Sequence, residues 1–424
     1  MTQHPQQEWP APSRTTVDHA AAATAAPGRS LAPDLARGLM LLLIAVANVP
    51  WWLYRGEHGL TNAHQLGHEG ADLGYQLFSL VVIDGRAYPL FAFLFGYGIW
   101  QLYSRQSAAG TPMVEAKRLL QRRHWWMLAF GAVHALLLWF GDIVGAYGLT
   151  GLLVTWLLLQ RSDRTLKVVA WVLAGLVLLF GLLSIVSGLV LSVGVAGDAV
   201  QLGGPELPTP AGEANYLLFM LGSVGTWAIG TVGQVLMLTV SLSVTLGILA
   251  ARRGLLDRPR PHRAMLIRIA VVGVAIGWAG GALAAAQFAG LVFAPSLAWA
   301  TMGVSSLAGV AGGVGYAALF GLIAAAIGDR RGPIARAISA VGKRSLSSYL
   351  AQSVLFAPVL AAWGFGLGAV LTPLGAAAYA VGVWLVTVVV AALLDRAGKR
   401  GPAEALLRRL AYGKRPVAAP TPVQ

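Results

Sequence analysis

The sequence predicts an all-α fold: a polytopic membrane bundle of about ten transmembrane helices and two interfacial helices, with both termini cytoplasmic. Three observations predict it. Of 424 residues, 57% are apolar and only 11% are charged, where soluble domains carry about 25% charged residues. Apolar runs of twenty residues or more recur, each long enough to cross a hydrocarbon core of about 30 Å. The basic residues, finally, gather in alternate loops.

Taken in order, residues 1–30 are polar and then Ala-rich, and no short apolar core precedes a small-residue cleavage site. They read as a disordered tail, not a signal peptide. One transmembrane domain then covers 31–415, and 416–424 read as a second disordered tail. The predicted spans are 34–54, 86–104, 117–140, 142–160, 166–192, 228–251, 265–291, 297–327, 341–363 and 372–395. Amphipathic stretches at 72–83 and 210–226 read as helices in the outer interface. The span at 297–327 exceeds the ~20 residues a crossing needs, which predicts tilt or a break at its glycines.

Charge orients the bundle. With the N-terminus inside, 29 of the 31 Lys and Arg residues fall on the inner side, and only Arg55 and Arg86 fall outside. That asymmetry is the positive-inside pattern. It accounts for the net charge of +14 without nucleic acid as a partner, and leaves anionic lipid at the cytoplasmic loops as the expected contact. There are no cysteines, which excludes disulfides, thiolate nucleophiles and Cys-ligated metals. Gly273, Gly277 and Gly281 recur every four residues, and Gly309 and Gly313 repeat the spacing, a pattern for close helix packing.

Polar groups within spans are costly and therefore informative. In the first span Asp34 and Arg37 are spaced to pair at i,i+3, and Asn48 lies on the same face about 21 Å deeper. It either faces a cavity or bonds a neighbouring helix. Arg122 and Arg123 open the third span and His134 follows on nearly the face of Arg123. A His134–Asp142 pair is geometrically poor on one helix, at about 12 Å and 80° of rotation, unless the chain bends sharply at Gly141. In the ninth span Ser345, Ser348, Tyr349, Gln352 and Ser353 form a polar stripe, which either lines a cavity or bonds neighbouring helices, before Pro358. Asp84 and Arg86 flank a helix break, where they cap it locally or hold an anion arriving from outside. His64 and His68 would share a helical face, but the loop is Gly-rich and holds no HExxH, so no metal site is expected. There is no Walker motif, and Gly303-Val304-Ser305-Ser306-Leu307 lacks the second glycine of a serine-hydrolase elbow.

Several segments together resemble the YeiB-like family of bacterial multi-pass membrane proteins, a domain-of-unknown-function group. They are Pro33-Asp34-Leu35-Ala36-Arg37-Gly38 with Asn48, Leu90 to Gly98 (LFAFLFGYG), and Gly131-Ala132-Val133-His134 followed by Gly141 to Tyr147. The stretch Gly342 to Ser353 and the tail Gly401 to Gly413 complete the match. Ser347-Ser348 stands where the family often shows Thr-Asn, and no aromatic follows Glu404. The resemblance implies a bacterial plasma-membrane location. The family is similar in turn to heparan-glucosaminide acetyltransferase-like transmembrane acyltransferases, which by analogy implies transfer from cytoplasmic acyl-CoA to an acceptor.

On that reading Arg37, Arg122 and Arg123 meet the phosphates of acyl-CoA, a donor substrate and not a bound cofactor. His134 takes the acceptor's proton, and Tyr349, Gln352 and Asn48 orient the acyl carbonyl. Asp34, Asp84, Arg86 and Asp142 are the remaining candidates for substrate contact. The competing expectation is a transporter or lipid-handling carrier using the same polar cavity, with broken helices near 84–89 and 226–230. A non-catalytic membrane partner is the third.

Overall fold

The computed structural model describes residues 31–59, 61–194, 209–236, 238–292, 298–328 and 331–413. Both expected disordered tails and most of the loop 193–213 lie outside them. Fourteen α-helices and no strand occur among the described residues: α1 Leu31–Asn48, α2 Gly70–Val82, α3 Ala87–Ala108, α4 Met113–Leu137, α5 Val144–Leu157, α6 Asp163–Gly194, α7 Tyr216–Leu236, α8 Thr239–Arg252, α9 Arg263–Phe288, α10 Ala298–Ile327, α11 Pro333–Lys343, α12 Ser345–Leu360, α13 Pro373–Arg396 and α14 Pro402–Tyr412.

Seven segments are long and apolar enough to cross a membrane. The other passes fall short for identifiable reasons. Helices α5, α8 and α12 have 14, 14 and 16 residues, about 21–24 Å at 1.5 Å each. The first half of α4 is loaded with Lys117, Arg118, Arg122 and Arg123.

Contacts sort the helix ends into two sets. At one end Arg252 pairs with Asp163 at 2.6 Å and stacks on Trp100. Gln101 reaches Asp257, Gln106 reaches Tyr412, and Lys343 and Arg344 share Asp395. At the other end Trp52 stacks on Trp139 with centroids 4.8 Å apart, Asp72 accepts from the Leu374 N–H, and Tyr216 donates to the Leu137 carbonyl. Among the described residues the chain thus passes ten times between a basic end and an opposite end, with α2–α3 and α7–α8 each forming one broken pass. Exposed Trp125, Trp156 and Trp171 ring the basic half, as aromatics do at a membrane–water boundary.

Several expectations need correction. The stretch 210–226 is not a separate interfacial helix preceding a span at 228–251. A short turn at Pro210–Gly212 precedes α7, and the break comes at residues 237–238. Leu238 there has φ +60°, the one non-glycine residue with positive φ among those described, a conformation that leaves no hydropathy signal. The ninth span divides at Arg344 into amphipathic α11 and membrane-length-deficient α12. Helix α10 runs unbroken through its glycines.

Those glycines do pack. A Cβ on Gly277 would lie 2.6 Å from Gly312 Cα, and one on Gly315 would lie 2.7 Å from the Val274 nitrogen. Helices α9 and α10 therefore touch backbone to backbone. Gly277→Ala should cost about 1–3 kcal/mol, the usual range for overpacking, seen as a lowered melting temperature of the purified protein in detergent. Gly230→Ala, where an added Cβ meets nothing within 4 Å, should leave that temperature unchanged or raise it.

Candidate functional site

A cavity of about 450 Å³ opens at the basic end. Its rim carries Arg37, Arg105, Arg123, Lys343, Arg400 and Arg408 with only Asp34 and Glu404 of opposite sign, and its walls carry Phe91, Leu94, Phe95 and Met127. Val144, the first residue of α5, and Tyr349 close its inner end.

The α3 wall follows helical spacing. Phe91, Leu94, Phe95, Gly98, Gln101, Leu102 and Arg105 recur at three and four residues and form one face. Arg37 crosses over that face, donating to the Leu94 carbonyl at 3.3 Å and lying 3.6 Å from Asp34 at i,i+3. A Cβ on Gly98 would lie 2.9 Å from the Arg37 guanidinium, so the glycine makes room for it.

The outer wall is α14, and a carboxylate holds it there. Glu404 accepts from the Leu346 and Ser347 N–H groups at 2.8 and 3.1 Å and from the Ser347 hydroxyl at 2.5 Å. These are orphan donors of the α12 N-terminus, where a negative charge is favoured. Ser347 Oγ in turn accepts from the Ala403 N–H at 3.0 Å.

Behind the inner end sits a buried pair. Helix α4 stops at Leu137, and the chain reverses over 138–143 before α5 starts. The reversal brings Asp142 back onto His134, with Nδ1 and Oδ1 2.7 Å apart. A single continuous helix through 140 would have kept them apart; ending it three residues earlier joins them. Asp142 Oδ2 accepts from the Gly145 N–H at 2.8 Å and from Trp227 Nε1 at 3.3 Å. Both residues are buried, and His134 Nε2 has no hydrogen-bond partner among the described residues. The Tyr349 ring lies edge-on to His134 at 5.3 Å between centroids, and its hydroxyl accepts from the Ile143 N–H at 3.3 Å. In a neutral imidazole, an Nδ1–H that donates to the carboxylate leaves the lone pair on Nε2.

The remaining candidates lie elsewhere. Gln352 is buried and donates to the Leu41 carbonyl at 3.1 Å, tying α12 to α1. Asn48 is the last residue of α1 and does not line the cavity. Arg122 donates to the Ala411 carbonyl at 3.3 Å, outside the lining. Arg86 is buried at the α2–α3 break and spends its donors on the Leu80, Asp84 and Gly277 carbonyls. Asp84 accepts from His64 at 2.6 Å. His64 and His68 share no helix, and His68 turns to Gln65; no group of three or more potential ligands is placed to hold a metal among the described residues. Arg105, Lys343, Arg400, Glu404 and Arg408 are site residues that polarity within spans could not reveal, because they lie at helix ends. The amphipathic pattern of 402–412 was the available signal.

Residues 250–414 match the family described as "Protein of unknown function (DUF418)". This part of the chain is similar to that family. This part supplies α9 to α14, hence the Lys343, Tyr349, Glu404 and Arg408 wall of the cavity. The chain is also similar, nearly from end to end, to two bacterial proteins described as uncharacterized. YxaH of Bacillus subtilis (strain 168) is 25% identical over 414 residues, covering 92% of this chain and 96% of that protein. YeiB of Escherichia coli (strain K12) is 26% identical over 409 residues, covering 90% and 96%. The YeiB-like resemblance read from the motifs therefore stands, and it extends over α1, α3 and α4, which lie outside the DUF418 match.

Removing the Glu404 carboxylate should free the C-terminal helix α14. Glu404→Ala is expected to raise amide exchange across 402–412 by roughly one to two orders of magnitude, since charge-assisted hydrogen bonds contribute about 1.5–3 kcal/mol. Exchange in α9 and α10 should stay at the wild-type rate.

Proposed function

We propose that this integral membrane protein is an acyltransferase of the bacterial plasma membrane, its basic end in the cytoplasm, that moves an acyl group from acyl-CoA to a hydroxyl or amine acceptor. The observation that carries the reading is the order of groups along one cavity. A cationic rim leads between apolar walls to Tyr349, and the His134–Asp142 pair lies directly behind that ring.

The chemistry follows from that order. Arg37, Arg105 and Arg123 meet the phosphates of the donor, while Phe91, Leu94, Phe95 and Met127 take its acyl chain. His134 Nε2, reached when the Tyr349 ring turns aside, accepts the proton of the attacking acceptor. The new C–O or C–N bond forms as the C–S bond breaks, and His134 returns the proton to the departing thiolate. Asp142 fixes the tautomer and balances the transient imidazolium. The uneven distribution of Lys and Arg supports the orientation, since basic loops stay on the cytoplasmic side.

A carrier is the second reading, and the two broken passes favour it: helix breaks at the middle of a bundle are where transporters place substrates. Against it, the polar groups at the α2–α3 break are already bonded to protein.

With radiolabelled acyl-CoA and membrane-derived acceptors, His134→Gln is expected to lower transfer by the 10²–10⁴-fold typical of a lost general base while donor binding persists. Arg123→Gln should weaken donor binding instead, most clearly at low salt. Unchanged transfer by His134→Gln overturns the enzyme assignment. Substrate movement into liposomes without any acyl donor selects the carrier.

A further inference from the structure

A second opening lies at the basic half of the bundle, on the far side of α3 from the cavity just described. It is a cleft of about 210 Å³ formed where α8, the following turn and α9 meet α10. Leu246 and Leu249 of α8, Met265 and Ile269 of α9, and Val314 of α10 line it, and Phe93 closes its base. Lys167 and Arg253 are the only polar side chains in that lining.

Volume and charge together limit the occupant. The space is below the ~300–1,000 Å³ of ordinary small-molecule sites, so it suits a narrow apolar segment. Leu246, Leu249, Met265 and Ile269 are each only half-buried, which leaves the slot accessible from the side. The two cations at its mouth are exposed, and among the described residues neither is paired with a carboxylate. Their neighbour Arg252 behaves differently, spending its charge on Asp163 and a further donor on the Leu159 carbonyl. An apolar slot under two uncommitted cations, at the end of the bundle where exposed tryptophans mark the boundary, complements a molecule with an acyl chain and an anionic head.

We propose that this cleft binds one anionic phospholipid, with an acyl chain between α8 and α9 and the phosphate between Lys167 and Arg253. The site is separate from the cavity assigned to acyl transfer and does not depend on that assignment. It differs from general attraction of basic loops to the membrane in having a built slot and two named contacts.

The test uses the full-length purified chain in neutral detergent, with melting temperature read against added lipid. Phosphatidylglycerol should raise it saturably, whereas phosphatidylcholine and free glycerol phosphate should not. Lys167→Gln and Arg253→Gln should each weaken the apparent affinity about fivefold, the worth of one cation near a lipid surface. Leu249→Trp, which fills the slot, should abolish the shift while its lipid-free melting temperature reports whether the fold is intact. If Leu249→Trp unfolds, Ile269→Phe replaces it. Arg258→Glu, in the same basic loop but outside the lining, is the control. Equal weakening by Arg258→Glu, an equal shift from glycerol phosphate or from phosphatidylcholine, or retention of the shift in a folded slot-filled variant each overturns the proposal.

Discussion

Inside a bundle with little water, every interrupted helix must find partners for the backbone groups it frees, and that constraint organises this protein. At the α2–α3 break Arg86 donates to three carbonyls, one on α2, one on α9 and one in the turn between α2 and α3. At the α4–α5 reversal Asp142 accepts from Gly145 and Tyr349 accepts from Ile143. At the start of α12 Glu404 accepts from Leu346 and Ser347. In the turn after α8 the Tyr97 hydroxyl accepts from Leu256 and Asp257 and donates to the Asp257 carboxylate. Each break is joined by a side chain from elsewhere in the sequence or from its own turn, so the breaks also fix how helices meet.

The same bonds separate structural polarity from the rest. Arg86 looks functional by position but its guanidinium is bonded to protein carbonyls, and Asp84 Oδ2 is taken by His64. Of the rim cations Arg37 and Lys343 pair with Asp34 and Asp395, while His134 Nε2 is one of the buried side-chain atoms with no hydrogen-bond partner among the described residues. Asp142 does both jobs at once: one oxygen accepts from the α5 backbone and the other orients the imidazole. The histidine is thereby held by the same group that makes the reversal feasible.

Much of the fold was legible in the sequence because hydropathy and charge are summed over many residues. The alternation of basic loops corresponds to the gathering of Arg37, Arg123, Arg252, Lys343 and Arg400 at one end, and the Gly273-Gly277-Gly281 spacing corresponds to α9–α10 contact. What escaped was decided by single residues or by chain reversal. Leu238 adopts a left-handed conformation with no compositional mark. Rotation arithmetic along one helix separates His134 from Asp142 and cannot see that the helix stops between them. Helical rotation puts Asn48 on the Asp34 face but carries no distance, and Asn48, at the far end of α1, does not line the cavity. Helices α11 and α14 escaped for the opposite reason, being too polar for a search tuned to membrane spans.

Helix α3 explains why the two openings at the basic end stay distinct. Its face at Phe91, Leu94, Phe95, Gly98 and Leu102 looks into the large cavity. Its other face is sealed against α8: an added Cβ on Gly96 would collide with the Val244 carbonyl, and one on Gly247 with that of Phe93. Two backbones in such contact leave no passage for water or ions between a basic, hydrated cavity and an apolar cleft. Phe93 alone reaches from the helix to the cleft, so any ligand there rests on a wall fixed by glycine contacts. A larger side chain at position 96 or 247 would part these helices before it altered either lining, which makes the glycines, and not the cavity residues, the boundary between the two sites.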